Sequence, residues 1–222
     1  MRTGRLLLAL FIATPLFAAN WIAWRIPTRN NVRVNGWHQC VSTGQLVMAL
    51  RMDKTTIEDV RFFDPVCEPD FDGLQLEMRE MTPEASIDFL ASHLRAANDP
   101  DEVVTAIALH EHEKVVPLLI PLARTDPSTE VRRQALFWLG QKAGAKAAGE
   151  LRRAVDEDPE DTVKEHAVFA ISQLPNDRAV PMLIELVKTH KSRRVRERAM
   201  FWLAQTEDPR ALDLIESILA AR

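Results

Sequence analysis

The stretch KSRRVRERAMFWLAQTEDPRALDLI, Lys191–Ile215, decides the fold, because the chain carries its pattern more than once. Thirty-two residues earlier stands PEDTVKEHAVFAISQLPNDRAVPML, from Pro159, and thirty-two before that PSTEVRRQALFWLGQKAGAKAAGEL, from Pro127. Phe137, Phe169 and Phe201 fall in register without a gap, as do Val131/Val163/Val195, Ala135/Ala167/Ala199 and Gln141/Gln173/Gln205. A weaker copy, EKVVPLLIPLARTD from Glu113, lies 64 residues ahead of DRAVPMLIELVKTH from Asp177. A repeat of this length is a supersecondary unit that cannot bury its apolar face alone. Copies must stack, and a stack offers a long binding surface rather than one catalytic cleft.

Each repeat holds two helices. Helix A places Val131, Ala135 and Leu139 at four-residue spacing, joined by Trp138. Helix B places Ala179, Leu183 and Leu186 on one face, with equivalents Ala147/Leu151/Ala154 and Ala211/Ile215/Ile218. Asp126-Pro127 and Asp158-Pro159 read as an N-cap followed by proline at the first helical position. Ahead of the repeats, PEASIDFLASHL from Pro83 sets Ile87, Leu90 and Leu94 on one face, as a helix capping the stack would.

EVRRQALFWLGQ and RVRERAMFWLAQ, followed by DPRALDLI, resemble HEAT repeats of the short bacterial kind named after phycobilisome lyases. The residues that carry the resemblance are Val131, Arg132, Ala135, Leu139 and their equivalents, with the turn Asp208-Pro209-Arg210-Ala211. It covers about Asp99 to Ala220 and implies an all-α solenoid of armadillo-type α-α superhelical form. Copies are expected near 99–126, 127–158, 159–190 and 191–220, within a solenoid over 81–222. The resemblance speaks for fold more than activity, since such repeats occur in lyase subunits, kinase-linked scaffolds and envelope proteins.

Residues 32–80 are the part with strand character, and 20–31 read as a linker. QLVMALRM (Gln45–Met52), TIEDVRFF (Thr56–Phe63) and GLQLEMRE (Gly73–Glu80) suggest a three-stranded meander. At the N-terminus Arg2 and Arg5 precede LLLALFIATPLF and then Ala18-Ala19, the parts of a secretory signal over residues 1–19, with cleavage expected after Ala18. The alternative is a retained membrane anchor over residues 6–24. In an oxidising compartment Cys40 and Cys67 read as a disulfide, closing a loop worth about 3 kcal/mol by the chain-entropy argument. A metal or redox pair would need closer spacing or histidine partners.

Several chemistries find no support. The 222 residues carry a formal charge of -4, without the basic footprint of a nucleic-acid binder. The serines lie outside any GxSxG motif, and no HExxH or CxxC is present, so neither a catalytic site, a cofactor nor a metal is expected. His110-Glu111-His112-Glu113 reads as a solvated turn, and the acids around Cys67 as a charged loop. Trp138 and Trp202 read as packing between neighbouring A helices.

The functional expectation is therefore an exported, non-enzymatic protein-binding scaffold of the cell envelope, with an accessory lyase subunit or a membrane-anchored sensor as alternatives. The partner would be a protein or peptide on a concave face formed by outward positions of helix B: Arg124, Arg153, Glu185 and Ser217, with Met182 and Leu214 at the border. A second candidate is the ladder Lys114, Lys146, Arg178 and Arg210, one cation every 32 residues at the start of helix B, where the helix dipole disfavours it. Its roles are pairing with carboxylates of the adjacent turn, such as Glu113 and Asp177, or forming a basic edge for an acidic partner. The loops Asp156–Asp161 and Lys188–Arg193 occupy one frame with opposite charge, so they should face each other.

Overall fold

A computed structural model describes residues 21–28, 44–65, 73–144 and 147–220. The leader, Cys40, Cys67, most of the acids near Cys67 and Lys146 lie outside the described residues. Among them the chain forms a small sheet followed by nine helices in a repeating arrangement, a HEAT-like helical solenoid with an N-terminal β subdomain.

The sheet corrects two expectations. Strand β1, Trp21–Pro27, lies within the segment read as a linker. It sits inside the sheet, whose order is β3-β2-β1-β4, with β2 at Gln45–Asp53, β3 at Thr56–Phe63 and β4 at Glu77–Met78. β1 pairs antiparallel with β2, matching Trp24 to Met48, so the expected meander is interrupted by a strand from before it. Of GLQLEMRE only Glu77 and Met78 pair, parallel to β1, while Leu74 and Leu76 cover the sheet's outer face. Trp21–Trp24, counted in the alternative anchor, therefore belong to a strand.

WIAW reads as neither strand nor helix because both faces of β1 are buried. Ile22, Trp24 and Ile26 face the helices with Leu46, Met48 and Leu50. Trp21 and Ala23 face the other way, with Val47, Ala49 and Phe63. A strand covered on both sides has no period-two contrast to read.

Helix α1, Pro83–His93, packs on the inner face of the sheet with Ile87 and Leu90 fully buried. Pro83 starts it and the Thr82 hydroxyl caps it, accepting from Ala85 N at 3.2 Å. A short 3-10 turn leads to α2, Pro100–Leu109. Then come α3 (Val115–Thr125), α4 (Thr129–Ala143), α5 (Ala148–Glu157), α6 (Asp161–Ser172), α7 (Asn176–Thr189), α8 (Arg193–Ala204) and α9 (Pro209–Ala220). The A helices α2, α4, α6 and α8 pack on one another in order, and α3, α5, α7 and α9 form the B row. Small residues allow the approach: a Cβ on Gly140 of α4 would stand 3.2 Å from the Ala170 carbonyl oxygen of α6. One apolar core runs from the inner face of the sheet to Leu214 of α9.

The sheet is joined to the stack by a buried polar chain. Trp24 Nε1–H donates to Ser86 Oγ at 2.7 Å. His110 Nδ1 faces the Ala106 carbonyl at 2.8 Å, so Nδ1 carries the proton and Nε2 accepts from the Ser86 hydroxyl at 2.7 Å. Glu111 N donates to the Pro27 carbonyl at 3.0 Å, and Asn98 N to that of Ile57 at 2.9 Å. The solvated turn expected at His110 is thus overturned. The ring is fully buried, and burial lowers its pKa to about 4.

Candidate functional site: the A-helix row

The turns between α3 and α4, α5 and α6, and α7 and α8 carry Asp126, Asp158 and His190 in register, all buried. Asp126 and Asp158 were expected to be N-caps of the next helix. They are instead C-cap residues of α3 and α5, and the following helices are capped by Ser128 and Glu160. Their carboxylates accept backbone N–H groups two residues on, from Ser128 at 2.9 Å and Glu160 at 3.0 Å. His190 Nδ1 accepts from Ser192 N at 3.1 Å in the same way. Arginines fix the carboxylates there. Arg132 grips Asp158 with Nε at 2.9 Å and Nη2 at 3.1 Å, and donates Nη1 to the Asp126 carbonyl at 2.8 Å. Arg95 reaches Asp126 at 2.7 Å.

The B-row candidates are engaged within the protein. Arg124 of α3 forks onto Glu150 of α5, which raises the arginine's pKa and lowers the acid's. Arg153 contacts Glu150 and Glu157, and Glu185 of α7 takes Arg152 of α5 at 2.9 Å. Arg124 and Arg153 share a cleft of about 280 Å³ with Asp126, Arg132, Glu157 and Asp158. Met182 is half-buried against the core, and Ser217 donates to the Leu214 carbonyl at 2.7 Å. Leu214, expected at the border of a binding face, is instead a core residue, because it shares the buried face of α9 with Ala211, three residues before it.

The described rungs of the cation ladder also meet oxygen atoms. Lys114 binds Glu84 at 2.6 Å and Asp88 at 3.1 Å, both on α1. Arg178 lies 3.9 Å from Asp177. Arg210 binds Asp208 at 2.7 Å and the Asn176 carbonyl at 3.2 Å. The oppositely charged loops do meet: Arg194, just beyond its loop, reaches Asp161 at 3.3 Å, and His190 lies 3.6 Å from Asp156.

The A row presents different chemistry. Trp138 and Phe137 of α4, Phe169 of α6, then Trp202 and Phe201 of α8 touch in that order. Ring centroids are 5.3, 6.1, 4.9 and 5.0 Å apart, with Phe137 and Phe169 nearly parallel. Trp138 and Trp202 pack against the core as expected, whereas Phe201 is 49% exposed. A groove of about 380 Å³ opens over Phe169, between Arg133 and His166 on one side and Arg198 and Trp202 on the other. His166 has its pKa lowered to about 4, chiefly by burial and then by Arg133. The register of Phe137, Phe169 and Phe201 was visible in the sequence. Which of them a neighbour leaves open was not.

Among the described residues no cluster of three metal-ligating side chains occurs, and no helix is long and apolar enough to cross a membrane. The family signature of HEAT repeats matches residues 87–172, 116–188 and 150–222. These matches span more than half of the chain, which therefore belongs to the HEAT-repeat family. A stack of this kind suggests a protein-interaction scaffold. No curated protein matches the chain.

Proposed function

We propose that the protein is an exported, non-enzymatic scaffold of the cell envelope that binds a partner protein along its A-helix row. The observation that carries this reading is the aromatic strip from Trp138 to Phe201, ending on a half-exposed ring. Contiguous apolar surface of this kind marks interaction sites, and aromatic residues dominate interface energetics. The B-row candidates Arg124, Arg153 and Glu185 are already held by charged neighbours, as the A-row arginines are, so the rings rather than the charges distinguish the rows. The export reading rests on the N-terminal pattern. Cleavage after Ala18 leaves β1 whole, whereas a span reaching residue 24 would draw Trp24 from its bond with Ser86. The non-enzymatic reading rests on the sequence, which carries no GxSxG, HExxH or CxxC motif; the Ser86–His110 pair has the contact of a nucleophile and its base but is sealed in the core and so is no candidate site. The repeats are assigned to the short bacterial kind on the strength of the turn at Asp208-Pro209-Arg210-Ala211.

The test places a photo-reactive residue at Phe201 on the A row or at Glu185 on the B row, in cells. A protein partner should crosslink from Phe201 and not from Glu185; the reverse would overturn the choice of row. The intact mass of the native protein should lack residues 1–18, and a mass that includes them would overturn export with cleavage.

A further inference from the structure

The repeat register reveals a replacement that strands two ring nitrogens. Between α2 and α4, Thr105 Oγ1 accepts from Gln134 Nε2 at 2.6 Å and from Trp138 Nε1 at 3.4 Å. The counterparts of Thr105 on the next two rungs are Phe137 and Phe169, which have no acceptor atom. His166 stands where Gln134 stands one rung earlier, and Trp202 where Trp138 stands two rungs earlier. His166 Nε2 and Trp202 Nε1 are both buried without a hydrogen-bond partner, and both residues line the groove over Phe169. Buried polar atoms are nearly always satisfied, so two orphans beside one groove require a reason.

The groove's chemistry indicates what would complete it. Trp202 Nε1 can only donate, and so can the guanidinium groups of Arg133 and Arg198. The lining also holds acceptors, the Thr162 hydroxyl and the neutral His166 ring, and its one carboxylate, Glu165, already holds Arg198 at 3.1 Å and Arg194 at 3.6 Å. Arg133 and Arg198 both act against protonation of His166, opposed by Glu130, so cationic influence reaches it from α4 and α8 alike. Arg133 also has a carboxylate partner, Glu130, which takes its Nη1 at 2.7 Å from outside the lining. The lining itself sets two guanidinium groups against one carboxylate, and that excess of N–H donors and positive charge around an aromatic floor is complementary to an anion attached to apolar surface.

Resting on the scaffold reading above, we propose that this groove seats a segment of the partner protein in which an acidic side chain stands beside an aromatic or large aliphatic one. The apolar side chain lies over Phe169 and against Trp202. The carboxylate takes remaining N–H groups of Arg133 and Arg198, in charge-assisted bonds. Binding turns the Trp202 ring until its buried N–H meets a carbonyl of the segment.

The test offers the full-length protein a library of random short peptides and, separately, a single-stranded oligothymidine. Recovered peptides are remade with each acidic residue converted to its amide. The expected result is enrichment of acidic–apolar pairs. Binding should weaken about tenfold for the amide forms, and likewise for Arg133→Gln or Arg198→Gln, the scale of one charge-assisted bond. Tryptophan fluorescence should shift on binding, and Trp202→Phe should remove the shift. Thermal melts confirm that each variant is folded. Peptides that need Phe169 but ignore both arginines and their own carboxylates overturn this inference and leave the scaffold reading standing. Peptides that ignore Phe169 as well overturn both. Recovery of no peptide, or oligothymidine binding without acidic peptides, overturns the peptide assignment.

Discussion

The A row and the B row come from the same repeats and rest on the same core, yet their surfaces differ: ion pairs link the helices of the B row, while the A row adds a run of rings to ion pairs of its own, Arg194 to Asp161 and Arg198 to Glu165. On the B row, charge answers charge from one helix to the next: Arg124 to Glu150, then Arg152 to Glu185. On the A row, ring answers ring, and the series ends on Phe201 with 49% of its surface open. Exposed ion pairs fix which neighbour sits beside which but contribute little energy. Half-covered rings leave apolar area that another molecule can still bury. Both rows end on open apolar side chains, Phe201 on α8 and Leu212 and Leu219 on α9, but the rings of the A row run from helix to helix.

The shared core sets the upper end of the scale. Leu183 of α7 is fully buried, and Leu183→Ala should destabilise the protein by about 2–5 kcal/mol in urea melts. A loss below about 0.5 kcal/mol would show that the rows do not share one core. Acid should act next, through the A helices. His110, at the end of α2, and His166, on α6, are both held neutral, with pKa about 4 against an ordinary 6.5. The stability they contribute is complete above about 6.5 and is lost as pH falls through about 4, reaching about 3 kcal/mol for His110. Melting curves of the wild type and His110→Gln across this range would check it, and identical profiles would sever acid sensitivity from His110.

The orphan nitrogen sharpens the contrast within the A row. His166→Met removes a buried atom without a partner and should stabilise by about 1 kcal/mol at pH 7.5. Gln134→Met, at the same place one rung earlier, removes a bond to Thr105 and should cost about 1 kcal/mol. Equal signs in chemical melts would refute the register argument. Smallest of all, Arg124→Ala on the B row should barely move the urea midpoint, and still less in high salt. A larger, salt-independent loss would mean that the B-row pairs carry more of the fold than their exposure allows.

Much of the stack was legible because its information is periodic. Val131, Ala135 and Leu139 state a helix face by spacing alone, and repetition at 32 residues states that the face is covered by a copy of itself. Other readings failed where the deciding neighbour is remote. WIAW has no period because two different layers bury β1. His110 stands in a charged run, and only Ser86 and Trp24 reveal that it points inward. Asp126 and Asp158 precede prolines as an N-cap would, but Arg95 and Arg132 hold them at the seam behind the next helix.

The sequence by itself determined the HEAT-repeat solenoid, its two-helix unit and the in-register phenylalanines, since each follows from local spacing repeated along one chain. Only the tertiary structure decided which rings are left open, which charges are already engaged, and that His166 and Trp202 lack the acceptor that Thr105 supplies earlier in the stack. Those outcomes depend on what each side chain meets across the stack. A one-residue difference on the neighbouring helix, threonine or phenylalanine, changes the answer without altering the periodicity.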